Sequence, residues 1–552
     1  NTQWRVVAGV EGALDEAWSY NAAFVHGETS NDLQGFNDFL SDRIVSAILG
    51  CPDGSFAGCI PYEVFVPGGV TSEAAAALAG TSMNKTRTEL NMVNAYITGD
   101  TGRALPWVDE NISLVMGAEW RENKFDFTAD SDSQAGNFAG AGGPATPVGG
   151  KTSVTEVFLE TAVPLMRTDG ALKALDLDLG YRVSDYGNSG TASTWKVGLA
   201  ANFADQFRVR TGFNRAIRAP SVVNLFNPQS IALFAGSDPC AGPTPDFTPE
   251  QCLNTGVPLD RYGTIPANPA DQNNQFIGGN PDLEPESAET FTFGVVYTPT
   301  TNLQFNVDYY DIKLGDTIAT IGATTILTFC AETGDPFLCD RINRNPASLD
   351  LWRGNDPATA GHVVNLTSNF GERRFRGIDL GGVARWDLGP GRLTTSFQGN
   401  YVLEQEVVPL PGVNDDATYD CAGVINPSCQ SPQWRHIANA RYALDNYSFN
   451  LRWRYFGAMD YELEDGTPGT ADKLLCKGAA GCLGDGEVGD MNYFDASATA
   501  FLGEHTEITV GVNNIADKEP PMVGASLATN GNAVGGYDQA GRFFFGSITF
   551  RF

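Results

Sequence analysis

Ten cysteines fall into five close pairs, Cys51/Cys59, Cys240/Cys252, Cys330/Cys339, Cys421/Cys429 and Cys476/Cys482. Two chemistries use such spacing: metal ligation and disulfide formation. Zinc sites need clustered Cys or His at short, set spacings. This chain has no C-x-x-C, and its four histidines, His26, His362, His436 and His505, stand far from the pairs. The pairs are therefore expected to form five small loop-closing disulfides in an oxidising compartment, with no metal and no cofactor bound. Closing so short a loop contributes about 2–3 kcal/mol, enough to pin a loop tip but not to build a core.

Other candidate chemistry is sparse. Gly187-Asn188-Ser189-Gly190 departs from G-x-S-x-G because its closing glycine comes one position early, and the Gly-rich stretch at 140–143 lacks G-x-G-x-x-G spacing. No catalytic residue is expected. Asp130-Ser131-Asp132-Ser133-Gln134 resembles the start of a calcium loop, but Ala135 stands where the sharp turn needs glycine and no glutamate closes the loop. Arginines are more suggestive. Arg208, Arg210, Arg215 and Arg218 cluster around one strand end, and a guanidinium can hold an anionic solute bidentately. These four are the candidate solute contacts. The competing reading, which also suits Arg452 and Arg454, is that they pair with Asp and Glu to satisfy a polar wall.

The elements that must position these residues show a two-residue period. In Tyr447-Ser448-Phe449-Asn450-Leu451-Arg452-Trp453-Arg454-Tyr455 the odd positions are large and apolar and the even ones polar, so a strand separates them onto opposite faces. Leu175 to Val183 and Leu303 to Tyr309 repeat the pattern. Trp453, Tyr455, Phe291 and Phe293 are expected to face lipid or form an aromatic girdle. Strands are predicted at 2–12, 17–29, 85–98, 109–127, 152–166, 171–186, 192–203, 207–216, 286–299, 302–316, 373–388, 391–408, 432–445, 447–461, 491–502, 505–515 and 541–552. Short turns such as Thr168-Asp169-Gly170 and Gly389-Pro390-Gly391 alternate with long loops at 30–84, 217–285, 317–372, 409–431, 462–490 and 516–540. All five cysteine pairs fall in the long loops.

Segments of this length, joined by short turns on one side and long loops on the other, point to an all-β fold: a transmembrane antiparallel β-barrel with long disulfide-pinned extracellular loops. About seventeen strands are counted. Single-chain barrels have even strand numbers, so residues 1–552 are expected to be one barrel domain, N-terminally incomplete, the remainder of a 22-stranded transporter that lacks five strands; a 16- or 18-stranded porin whose strands are miscounted is the alternative. Within the first long loop, Thr71 to Gly80 predicts a short helix with a hydroxyl N-cap and a glycine stop; separately, residues 139–150 predict a Gly/Pro-rich flexible tip. No stretch of 18 apolar residues occurs. A net charge of −31, from 35 Lys+Arg against 66 Asp+Glu, excludes nucleic acid as a partner.

Several motifs resemble one family. Phe213-Asn214-Arg215-Ala216-Ile217-Arg218-Ala219-Pro220-Ser221 with Asn224-Leu225-Phe226 is similar to the R-A-P-S…L-F segment of TonB-dependent outer-membrane receptors. Gly279-Asn280-Pro281-Asp282-Leu283-Glu284-Pro285-Glu286 resembles their N-P-x-L-x-P-E stretch, and Val512-Asn513-Asn514-Ile515-Ala516-Asp517-Lys518 their V-x-N-L-x-D-K hairpin. Met116-Gly117-Ala118-Glu119-Trp120-Arg121 and the closing Phe550-Arg551-Phe552 add to the match, which runs in order along the chain. The resemblance implies a protein of the Gram-negative outer membrane, embedded in its lipid, that takes up a scarce solute. Energy comes from periplasmic TonB pulling on an N-terminal plug, which is missing from this sequence. It implies no catalysis, and it makes Phe552 the signal read by the barrel-assembly machinery. Family haem receptors carry a histidine between the two motif boxes; residues 222–280 have none. Acidic loops favour an oligosaccharide or peptide slightly over an anionic ferric siderophore. A passive porin, a surface adhesin and a barrel enzyme are the alternatives.

Overall fold

The computed structural model describes all residues except 141–143, 355, 409, 411–417, 426–428, 462–486, 504, 522–535 and 552. Its long strands are β1 (Thr2–Ala13), β2 (Trp18–Phe39), β3 (Ala79–Ala104), β4 (Asn111–Ala129), β5 (Val148–Arg167), β6 (Leu172–Tyr186), β7 (Gly190–Phe203), β8 (Phe207–Arg218), β9 (Glu286–Thr300), β10 (Leu303–Gly315), β11 (Glu372–Leu388), β12 (Gly391–Val408), β13 (Trp434–Ala443), β14 (Tyr447–Phe456), β15 (Met491–Leu502), β16 (Thr506–Asn513) and β17 (Phe543–Phe550). Each of the seventeen predicted strands has its counterpart. Every consecutive pair is antiparallel, and with the short Tyr419–Asp420 segment they form one sheet of 18 strands. β1 pairs only with β2 and β17 only with β16 among the described residues.

The register carries the two-residue period across strands. Phe213 lies opposite Phe291, Phe293 opposite Tyr309 and Val295 opposite Val307, so apolar side chains align into a continuous belt. Tyr447, Phe449, Leu451 and Trp453 belong to the same outward set, and each leaves more than a third of its surface uncovered by protein. A belt this extensive needs an apolar surrounding, which is lipid. The alternate residues meet one another instead. Arg452 and Arg454 both bind Asp495, at 2.7 and 2.9 Å.

Two expectations need correction. β2 and β3 continue well past 29 and before 85, pairing from Asn31 opposite Thr86 to Phe39 opposite Ala79. Beyond the lipid a ladder needs only its backbone bonds, so no apolar alternation marks it. The predicted helix forms as α2 (Ser72–Leu78), preceded by α1 (Ser41–Ile48), and Thr71 caps α2 by accepting from Ala74 N at 3.1 Å. Gly80 does not stop it. The chain passes at Ala79 directly into β3, where a side chain at Gly80 would strike Phe138 and Leu40.

Candidate solute site at the barrel mouth

The two longest loops, 219–285 and 316–371, fold together as one lobe. Gln272–Ile277 pairs antiparallel with Ser230–Ala235 and parallel with His362–Val364, putting strands from both loops into a shared sheet. Helix Ala323–Thr333 packs against it, with Phe234, Ile326, Leu327, Cys330, Leu351 and Val363 forming the core. Leu410, from the loop after β12, enters the same core. Arg344 locks the halves. Its guanidinium binds Asp238 at 2.6 Å, and it also donates to Thr255 Oγ1, Thr255 O and Leu349 O. Both charged side chains are almost wholly buried, and such a pair is tolerated only when its hydrogen bonds are satisfied, as here.

Four of the five expected disulfides are present: Cys51–Cys59, Cys240–Cys252, Cys330–Cys339 and Cys421–Cys429. Each lies in a long loop. Cys476 and Cys482 lie outside the described residues, as does Phe552.

Stem residues tie the lobe to the barrel. Arg218 ends β8 and Glu286 begins β9; Arg218 Nη2 donates to Glu286 Oε1 at 2.6 Å, and that carboxylate also accepts from Ile318 N. The two sequence motifs therefore meet directly. Between them Pro220 is buried, Ser221 and Asn224 form a reciprocal capping box, and Asn280 Nδ2 reaches Thr367 O at 3.0 Å. The third motif works similarly. Buried Asn514 donates its backbone N–H to Asp495 at 2.7 Å and exchanges hydrogen bonds with the Lys518 backbone.

The four candidate arginines are not brought together. Arg208, Arg210 and Arg218 share the lumenal face, whereas Arg215, an odd number of residues away, is turned outward with Phe213 and Ile217. Arg210 binds Asp308 at 2.7 Å across the intervening strand, a crossing possible because β9 carries Gly294 there; any side chain would collide with the Asp308 carboxylate. Arg208 has no ion pair among the described residues. Pairing thus accounts for Arg210 and Arg218, the competing reading given above.

The acidic 130–134 segment is a cap. Burial opposes charge on Asp130, but donors from Met83 N, Ser133 N, Ser133 Oγ and Asp132 N outweigh it and hold its pKa at about 2. Its oxygens are occupied by the helix Ser131–Gln134 and by β3. No metal-ligating cluster exists among the described residues.

What sequence reasoning missed is a lumenal cavity of about 740 Å³ beneath the stem, lined by Arg5, Arg121, Asn123, Tyr186, Arg218 and Val222 among others. Arg121 pairs with Glu119 at 3.0 Å and Arg218 with Glu286, while Arg5 has no ion pair among the described residues. The segment Val222–Phe226 contacts the inner faces of β4 and β5 beside it, where Gly150 leaves room for Phe226. These residues come from strands far apart in sequence, and only their register brings them together. With amides, hydroxyls and guanidinium groups, the cavity can hold a polar solute.

The fold and this mouth define an outer-membrane β-barrel receptor. Residues 1–515 match the family model for the TonB dependent receptor-like β-barrel, and the chain belongs to that family, in the outer membrane of Gram-negative bacteria. Among solved structures it is similar to the ferric enterobactin receptor of Pseudomonas aeruginosa (17% identity, TM-score 0.56, covering 99% of this chain and 62% of that one). It also resembles the ferripyoverdine receptor of the same organism (13%, 0.54, 100% and 56%) and the siderophore receptor PirA of Acinetobacter baumannii (14%, 0.50, 100% and 78%). The chain thus spans less than two thirds of the first two. Identities this low speak for the fold alone. No curated protein sequence matches significantly.

Proposed function

We propose that the chain is the barrel part of an active-transport receptor: the lobe and upper lumen bind a scarce solute, and TonB, acting through a plug, drives its entry. The observation that carries this is the family match over residues 1–515 together with a mouth whose two longest loops form a single lobe above a cavity of mixed polar and apolar lining. Rigid external structures over a barrel are where recognition resides. On this reading the receptor catalyses no reaction, lies in outer-membrane lipid, and is assembled through recognition of Phe552 by the barrel-assembly machinery. On the same reading Arg5 in the cavity offers a guanidinium to solute, and Arg208, at the short-turn end of β8, offers one farther along the lumen.

An oligosaccharide or peptide is the proposed cargo, because acidic residues outnumber basic ones in each of the loops 40–78, 219–285 and 316–371 and would repel an anion. A ferric siderophore is the second reading, supported by Arg5, which has no ion pair among the described residues, and by the cargo of the structural relatives. The test is growth and uptake in a deletion strain complemented with the full-length gene, under iron limitation and separately with oligosaccharides or peptides as sole carbon source. Rescue only under iron limitation would establish the second reading, and rescue in neither condition would remove both.

A further inference from the structure

Loop 40–78 presents an apolar face that nothing in the described structure covers. α1 turns Val45, Ile48 and Leu49 outward at i, i+3 and i+4, and Leu49 is 69% exposed. The Cys51–Cys59 bridge returns the chain past the end of this helix, where Tyr62 N donates to Ala47 O at 3.1 Å. Val64, Phe65 and Val66 follow directly after that bond, and Phe65 is 92% exposed. Apolar side chains left this exposed gain little from folding, and several of them on one disulfide-closed, water-facing loop mark a contact site.

Charge selects the occupant. Asp42, Asp53, Glu63 and Glu73, the acidic side chains of the same loop, are all exposed. The loop's one basic side chain, Arg43, offsets only one of the four, and its guanidinium is held by Ala77 O, Ala79 O and, at 5.2 Å, the Phe56 ring. An anionic solute or anionic lipid surface would be repelled, and a second copy would set two acidic rims against each other. We propose that this face captures a cationic amphipathic peptide, whose apolar side docks on Leu49 and Phe65 while its Lys or Arg side chains meet the acidic rim. This rests on the reading of the protein as an uptake receptor and names the peptide class of its cargo.

The test uses full-length receptor in nanodiscs of zwitterionic lipid, empty nanodiscs as control, and two fluorescent probes: a short Leu/Lys amphipathic helix and its Leu/Glu twin. The Leu/Lys helix should bind and the twin should not. Phe65→Asp and, separately, Leu49→Ser should weaken binding about tenfold, and Glu63→Gln should weaken it while reducing its salt dependence. Heat-modifiable gel mobility confirms that each variant is folded. Equal binding of both helices, binding unaffected by Phe65→Asp and Leu49→Ser, or a Phe65-dependent doubling of mass that marks a self-interface would each overturn the proposal. Uptake fails separately: a receptor that imports a different solute and ignores the helix refutes only this face, whereas helix binding without any TonB-dependent import refutes the transport reading.

Discussion

Arg344 and Asp238, 106 residues apart in sequence, form a buried ion pair at 2.6 Å that joins the two longest loops. Trp352 Nε1 to Pro266 O and Asn274 Nδ2 to Gly361 O cross the same boundary. Loops bonded this way move together, so the mouth has one lobe rather than two independent arms.

Removing one partner of that pair leaves an uncompensated buried charge. Arg344→Ala should destabilise the lobe by about 3–5 kcal/mol. Hydrogen exchange should then rise together in 230–277 and 323–364, while β8 and β9 remain protected. Exchange that rises in one loop alone would show that the two are not a unit.

Leu451 faces lipid and Asn450 the lumen. Leu451→Lys near mid-membrane should cost about 2–4 kcal/mol in a lipid-folding titration, and Asn450→Ser less than about 0.5 kcal/mol. Equal sensitivity at both positions would contradict the two faces.

Asp130 has a carboxyl held at about 2, below its ordinary value of 3.8. A depressed carboxylate stabilises fully above its unfolded pKa and loses that contribution as pH falls through the folded one. Protection of the 131–137 backbone should hold from neutral pH to about 4 and fade toward 2. In Asp130→Asn it should be low and insensitive to pH throughout.

Peptide mapping of unreduced protein should recover Cys476–Cys482 beside the four observed bridges, with no free thiol. Cys330→Ser with Cys339→Ser should cost the lobe about 2–3 kcal/mol by thermal denaturation.

The strands were legible because lipid on one side and polar lumen on the other impose a period of two, readable in Tyr447 to Tyr455 without knowing any partner. Cysteine pairs were legible for a related reason: their partners are local. The polar ends of β2 and β3 were not, since outside lipid the backbone ladder asks nothing of the side chains. Nor was the lobe. Its strands, such as Gln272–Ile277 and His362–Val364, are short, and their pairing is set by contacts some 90 residues distant. Arg218 was found by type and position, but its bond to Glu286 follows from register; Arg5 carries no local signal at all.

The most direct measurement is accumulation of the identified solute by cells complemented with the full-length gene, with and without a protonophore and with and without TonB. Energy-coupled uptake predicts concentration above the external level that collapses when either is removed. Solute that only equilibrates, unaffected by both treatments, would show a passive pore and contradict the receptor reading.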